Sequence, residues 1–222
     1  MTINTIIFDL DGTLIDSMGL WRQVDEDFLT SRGIEVPEDL FDNIPGGNSF
    51  VQTAQYFKDR FSLKENVYQI MQEWTDQVGY HYRNTIELRP EAENLLKAIK
   101  ASSLKLGLAT SNSYELAEIV LKRNGVWELF DFASTGCKIT KGKPYPDIYL
   151  YCLEGLGSDA AESLAVEDTL SGVMAAKAAG IYTYGIWDGD SVRDHEKIRK
   201  LADDYCMDYI CLYEQMKKRV KL

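Results

Sequence analysis

The chain has 222 residues, a formal net charge of −11 and 27% charged residues; nucleic acid is not an expected partner, because such binding draws its affinity from lysine and arginine meeting phosphates. The hydrophobic fraction of 45% is ordinary for a globular protein, and no stretch approaches the roughly 18 uninterrupted apolar residues of a membrane span. The first residues lack the basic, apolar and small-residue succession of a signal peptide, and Cys137, Cys152, Cys206 and Cys211 make no CxxC pair. A cytoplasmic protein with free thiols is expected, and with only His81 and His195 to help, no zinc cluster.

In chain order, the apolar run Ile3 to Phe8 reads as a buried strand, and it delivers two aspartates into "FDLDGTLID", Phe8 through Asp16. The period then becomes helical: Trp21, Val24, Phe28 and Leu29 recur on one face, with Gly33 as the stop. "FVQTAQYFKDRF" and "ENVYQIMQEWTDQVGYHYRN" continue as helices, with "NIPGGN" as the turn before them. From Arg89-Pro90 the chain alternates: "EAENLLKAIKA" helix, "LKLGLAT" strand, "YELAEIVLKRNG" helix, "FDFAS" strand, "PDIYLYCLEGLG" helix, "SLAVE" strand, "GVMAAKAAG" helix, "IYTYGIW" strand, then "YICL" and a polar amphipathic tail. Such alternation predicts an α/β fold with a doubly wound parallel sheet. The first strand finds partners only after residue 100, so residues 17–84 are read as a helical domain inserted into a core made of 1–16 and 85–222.

Four predicted strand ends finish in polar residues: Asp9 and Asp11, Thr110-Ser111-Asn112, Lys143, and Glu167-Asp168. In a parallel sheet these ends lie along one edge and can converge. Carboxylates meeting at a point call for a hard cation, and oxygen ligands with a substrate phosphate suit Mg²⁺. Asp9 and Asp168 would ligate it, while Lys143, the Thr110 hydroxyl and nearby main-chain N–H groups would hold phosphate oxygens. Each feature also has a structural reading: Asp11-Gly12-Thr13 as a turn, and Asp168 with Ser171 as the cap of a helix starting near Gly172. Asp147 is read as a first-turn residue, Lys141 as solvated, Asp16 and Ser17 as helix starters, and Trp21 and Trp74 as helical core.

With "DLDGT", "LATSN", "KGKPYPDIY" and "AVEDTLSG" in order, the chain resembles the haloacid dehalogenase superfamily, in the phosphatase and β-phosphoglucomutase-like branch with a helical cap after the first strand. The resemblance implies a Rossmann-like core and an inserted α-helical cap. It implies that Asp9 attacks phosphorus to form an aspartyl-phosphate and that Asp11 is the general acid and then base, its backbone carbonyl touching the metal. It also implies that Thr110 and Lys143 hold the phosphoryl group with Ser111 and Asn112, and that Asp168 binds Mg²⁺ with Glu167 as second ligand or neighbour.

Mutases of this branch hold a distal phosphate with an arginine in a cap loop. Here "NIPGGNSF" carries Ser49 or a neighbour at that place, no cation follows until Lys58, and Trp21 stands where the mutases have a histidine. The expectation is therefore a Mg²⁺-dependent phosphatase of small phosphorylated metabolites, sugar phosphates leading, with a β-phosphoglucomutase as the nearest alternative and a non-catalytic binding protein behind it. Asn43, Gly46, Gly47 and Asn48 are the expected cap contacts to substrate. A monomer is expected.

Overall fold

The computed structural model describes residues 2–40, 49–139, 141–220 and 222; the expected cap contacts Asn43, Gly46, Gly47 and Asn48 lie outside them. Strand β1 (Thr5–Phe8) is four β-branched or aromatic residues buried on both faces, the pattern of a strand inside a parallel sheet. Among the described residues three helices follow before the next strand's own crossover: α1 (Met18–Thr30), α2 (Phe50–Arg60) and α3 (Val67–Asn84). Then α4 (Ala92–Ala101), β2 (Lys105–Thr110), α5 (Tyr114–Arg123), β3 (Phe132–Thr135), α6 (Asp147–Leu156), β4 (Ser163–Glu167), α7 (Leu170–Ala178) and β5 (Tyr182–Ile186) alternate, and the chain closes on α8 (His195–Leu201), β6 (Asp204–Cys206) and α9 (Tyr209–Arg219).

The strands form one six-stranded sheet, order β3-β2-β1-β4-β5-β6, with every neighbouring pair parallel. Thr5 and Phe8 stand opposite Lys105 and Leu108 on one side and Ser163 and Val166 on the other. Strand order reverses between β1 and β4, the point outside the carboxyl ends of the strands where doubly wound sheets bind ligands.

Alternation along the strands divides the apolar interior. Ile6, Phe8, Leu108 and Val166 pack with Leu96 of α4, Val120 of α5 and Leu212 of α9, and this layer runs on into the inserted helices. Ile7, Ala109 and Ala165 face the other way, against Ile148 and Cys152 of α6 and Ala175 of α7. The insertion has its own aromatic centre: the Trp74 ring lies 5.0 Å from Phe57, 5.5 Å from Phe28 and 5.8 Å from Phe50. Capping boxes start two of its helices, Ser49 with Gln52 for α2 and Asn66 with Gln69 for α3. Among the described residues no helix is long and apolar enough to cross a membrane.

Two local readings change. Helix α7 begins at Leu170, capped by Thr169, whose Oγ1 accepts from the Gly172 amide at 3.1 Å; Asp168 and Ser171 do not cap it. The tail beyond Trp187 holds a further helix and a sixth strand, and "YICL" opens α9, capped by Asp208, which accepts from the Cys211 amide at 2.8 Å.

Candidate active site

The Asp9 amide still donates to the Val166 carbonyl at 3.1 Å, so the residue leaves β1 at the reversal point with its carboxylate buried. Lys143, from the β3–α6 connection, reaches it there. Its Nζ lies 2.5 Å from Asp9 Oδ1 and 2.5 Å from Glu167 Oε1, and the side chain is 3% exposed. Glu167, the last residue of β4, also accepts from the Tyr149 hydroxyl of α6 at 2.6 Å. Asp168 accepts from Thr13 Oγ1 at 2.9 Å through Oδ1, while its Oδ2 is buried with no hydrogen-bond partner among the described residues. Carboxylate oxygens of Asp9, Glu167 and Asp168 all fall within 4.8 Å of one another.

One ammonium thus faces three carboxylates. Burial, the largest effect, pushes Asp9 up to about 8; Lys143 pulls it down and Glu167 adds to the rise. Burial and then Asp9 and Glu167 hold Asp168 well above the usual carboxylate range. Burial works against the Lys143 charge too, but Asp9 and Glu167 outweigh it and keep the ammonium above its ordinary value. Surplus negative charge, hard oxygen donors and an orphaned buried oxygen on Asp168 form a donor set that fits a small divalent cation.

Two glycines allow the crowding. Gly12 has φ +79°, and a Cβ on it would stand 2.3 Å from Asp168 Oδ2. A Cβ on Gly172 would stand 2.0 Å from Glu167 Oε2.

Asp11, two residues beyond Asp9, faces the inserted helices. Its Oδ1 accepts from Ser17 Oγ at 2.6 Å, from the Trp21 indole Nε1 at 3.1 Å and from the Tyr82 hydroxyl in a short contact. Oδ2 accepts from Asn112 Nδ2 at 3.0 Å. Ser17 therefore precedes α1 as expected, but its hydroxyl serves Asp11 and makes no cap bond. Trp21 is half-buried and packs against the core as expected, and its indole also donates to the site; Trp74 is core as expected.

Thr110 closes β2, and its Oγ1 accepts from the Asn112 amide at 3.1 Å. The Ser111 carbonyl accepts from the Phe50 amide at 3.2 Å, so this loop meets the start of α2. Asp147 opens α6 as expected, and Lys141 is exposed with its ammonium 4.9 Å from the Tyr145 ring centre. Asp9, Lys143, Glu167 and Asp168 are brought together in one cluster, and Asp11 with Asn112 in a second set two residues along the chain from Asp9, with Thr110 behind Asn112. Sequence reasoning did not pick out Tyr149, Tyr82 or the donor roles of Ser17 and Trp21. Tyr149 lay inside the quoted "KGKPYPDIY" run, and its hydroxyl on an otherwise apolar helix face was the available signal.

A buried carboxylate cluster with a lysine, at the reversal point of a doubly wound sheet, is the site of an α/β enzyme. A family model described as haloacid dehalogenase-like hydrolase matches residues 6–186. The phosphorylated carbohydrates phosphatase of Thermotoga maritima is 32% identical over 190 residues, 83% of this chain and 85% of its own. Hexitol phosphatase B of Escherichia coli is 30% identical over 178 residues, 78% of each chain. The structure of CbbY from Rhodobacter sphaeroides in complex with phosphate is similar in fold, with a TM-score of 0.83 at 24% identity over 93% of this chain and 95% of that one. The chain belongs to the haloacid dehalogenase-like hydrolase family, in its helical-cap branch of phosphatases and β-phosphoglucomutase-like enzymes, and its class is that of a phosphoric monoester hydrolase.

Proposed function

We propose that the protein is a Mg²⁺-dependent phosphatase of small phosphorylated metabolites, phosphorylated sugars first among them, working as a monomer in the cytoplasm. The observation that carries this reading is Lys143 lying between Asp9 and Glu167 beside the orphaned Asp168 oxygen. The substrate class rests on the similarity to the phosphorylated carbohydrates phosphatase and hexitol phosphatase B.

In this reading Asp9 attacks phosphorus through a carboxylate oxygen, the bond to the leaving oxygen breaks, and an aspartyl-phosphate forms. Asp11 gives a proton to the leaving oxygen and later takes one from the water that attacks phosphorus, which releases phosphate and restores Asp9. Lys143 orients the Asp9 carboxylate and balances charge on the transferring group; the Thr110 hydroxyl and the Ser111 and Asn112 main chain hold its oxygens. Mg²⁺, held by Asp9, Asp168 and the Asp11 carbonyl with Glu167 as ligand or neighbour, supplies positive charge against the phosphoryl oxygens when bound. Residues 17–84 act as a cap that admits substrate and excludes bulk water over the core of 1–16 and 85–222.

Hydrolysis is favoured over a mutase because three cations of the insertion, Arg32, Lys58 and Arg60, are engaged elsewhere. Arg32 pairs with Glu65 at 2.9 Å and Glu73 at 2.5 Å, Arg60 with Asp39 at 2.6 Å, and Lys58 Nζ donates to the Leu63 and Glu65 carbonyls at 3.0 and 2.6 Å. The test is phosphate release from a panel of sugar phosphates, nucleotides and phosphoglycolate with Mg²⁺, beside EDTA and Asp9→Asn. Release that falls by more than about 10³-fold in Asp9→Asn is expected. Glucose 6-phosphate formed from β-glucose 1-phosphate with little phosphate release would replace the phosphatase with a mutase.

A further inference from the structure

Asp11 accepts four hydrogen bonds, and they are divided unequally between its two oxygens. Three donors, Ser17, Trp21 and Tyr82, converge on Oδ1, and only the Asn112 amide reaches Oδ2. A carboxylate oxygen offers about two lone-pair sites, so Oδ1 has no room for a further partner while Oδ2 keeps one free. Trp21 and Tyr82 also hold each other, with the indole Nε1 3.1 Å from the Tyr82 oxygen and the rings meeting edge-on at 6.5 Å. Indole, phenol and carboxylate make a closed triangle, and two of its corners come from α1 and α3. Tyr82 is fully buried, so its hydroxyl has no bulk solvent to turn to.

We propose that Trp21 and Tyr82 are positioning residues that anchor Oδ1 of Asp11, making Oδ2 the oxygen that hands a proton to the leaving group and takes one back from water. The proposal rests on the phosphatase reading. In the first half-reaction the Oδ2–H bond breaks, its proton goes to the leaving alkoxide oxygen as the P–O bond breaks, and Asp11 is left as carboxylate. In the second, Oδ2 takes a proton from the attacking water. The inserted helices thereby set the orientation of the proton donor through two hydrogen bonds, so its aim depends on α1 and α3 keeping their places against the sheet.

A leaving group that needs no proton provides the discriminating measurement. In the full-length protein with Mg²⁺, Tyr82→Phe keeps the ring and removes the donor, and Trp21→Phe replaces the indole with a smaller aromatic ring that has no donor. With a hexose 6-phosphate, whose alkoxide must be protonated as it leaves, kcat/KM, which reports the steps through departure of the leaving group, should fall about 10- to 100-fold in either variant, within the span general acid catalysis contributes. With p-nitrophenyl phosphate, whose phenolate leaves unaided, kcat/KM should change less than about threefold, because the later water step that Oδ2 also serves does not enter it. Equal losses on the two esters, or no loss on either, would overturn the proposal, since damage to folding does not sort substrates by leaving group.

A second readout needs no turnover. The Trp21 indole N–H resonance, identified by its disappearance in Trp21→Phe, should move when Asp11→Asn replaces the charged acceptor. A resonance that stays in place would show that the triangle is not formed. If the wild-type protein hydrolyses neither ester, the phosphatase reading fails, and the indole resonance alone then decides whether the pair holds Asp11.

Discussion

Asp9 and Asp11 leave the same strand two residues apart and meet opposite surroundings. Asp9 is held by charge, with Lys143 at 2.5 Å and two more carboxylates close by. Asp11 is held by neutral donors, three of them at or within the inserted helices. A third carboxylate, Asp25 of α1, shows what happens with neither: it is 8% exposed, has no hydrogen bond or ion pair among the described residues, and burial with some help from Glu26 pushes it up to about 7. The difference separates roles. Only the charged cluster leaves a surplus that a cation can neutralise, only the neutral cage fixes direction without adding charge, and Asp25, with neither, holds its proton up to about pH 7.

The largest expected effect comes from removing the charge that holds Asp9. Lys143→Met leaves two buried carboxylates without their cation, and the metal-free protein should lose about 3–5 kcal/mol of unfolding free energy in urea. A loss under about 1 kcal/mol would mean that water, not the lysine, keeps these groups, and the contrast with Asp11 would break.

Asp25→Asn comes next, with the opposite sign. The folded protein binds the Asp25 proton up to about pH 7, while the unfolded chain releases it near pH 4, so Asp25 costs stability progressively across that window and fully above it. The variant should be more stable than wild type, its advantage growing by about 2–3 kcal/mol between pH 5 and pH 8. A pH-independent difference in urea midpoints would place Asp25 in contact with solvent.

Gly12→Ala should have the smallest effect on stability, about 1–2 kcal/mol for a side chain at positive φ. It sharpens the picture of the cluster, because the new methyl must push Asp168 Oδ2 away. Thermal stabilisation by added Mg²⁺, expected for the wild type, should shrink in Gly12→Ala; undiminished stabilisation would show that the loop's approach to Asp168 is not needed for the cation.

Much of this was legible before any coordinates. The strand before Asp9, the alternation after Pro90 and the four polar strand ends follow from apolar run length and helical period, signals that survive because a parallel sheet buries its strands on both faces. The site on the Asp9 side was legible for the same reason: strand ends on one edge must meet. The Asp11 cage was not. Trp21 and Tyr82 have the spacing of core aromatics, and whether an indole or phenol spends its polar tip on solvent or on a carboxylate depends on how α1 and α3 pack, which no local pattern encodes. β6 escaped because "DYC" is only three residues and two of them are polar or amphipathic.

The position of β1 in the sheet has a consequence for how the molecule comes into being. Thr5 precedes the helical insertion in the chain, yet its neighbours are Lys105 on one side and Ser163 on the other. Pairings that distant must wait for the intervening chain to be made and its loops to be closed. A nascent chain that stops short of β4 therefore carries Asp9 without Asp168 and with its central strand covered on one side at most. The cluster of Asp9, Glu167 and Asp168 therefore cannot assemble on a chain whose synthesis has not yet passed Asp168.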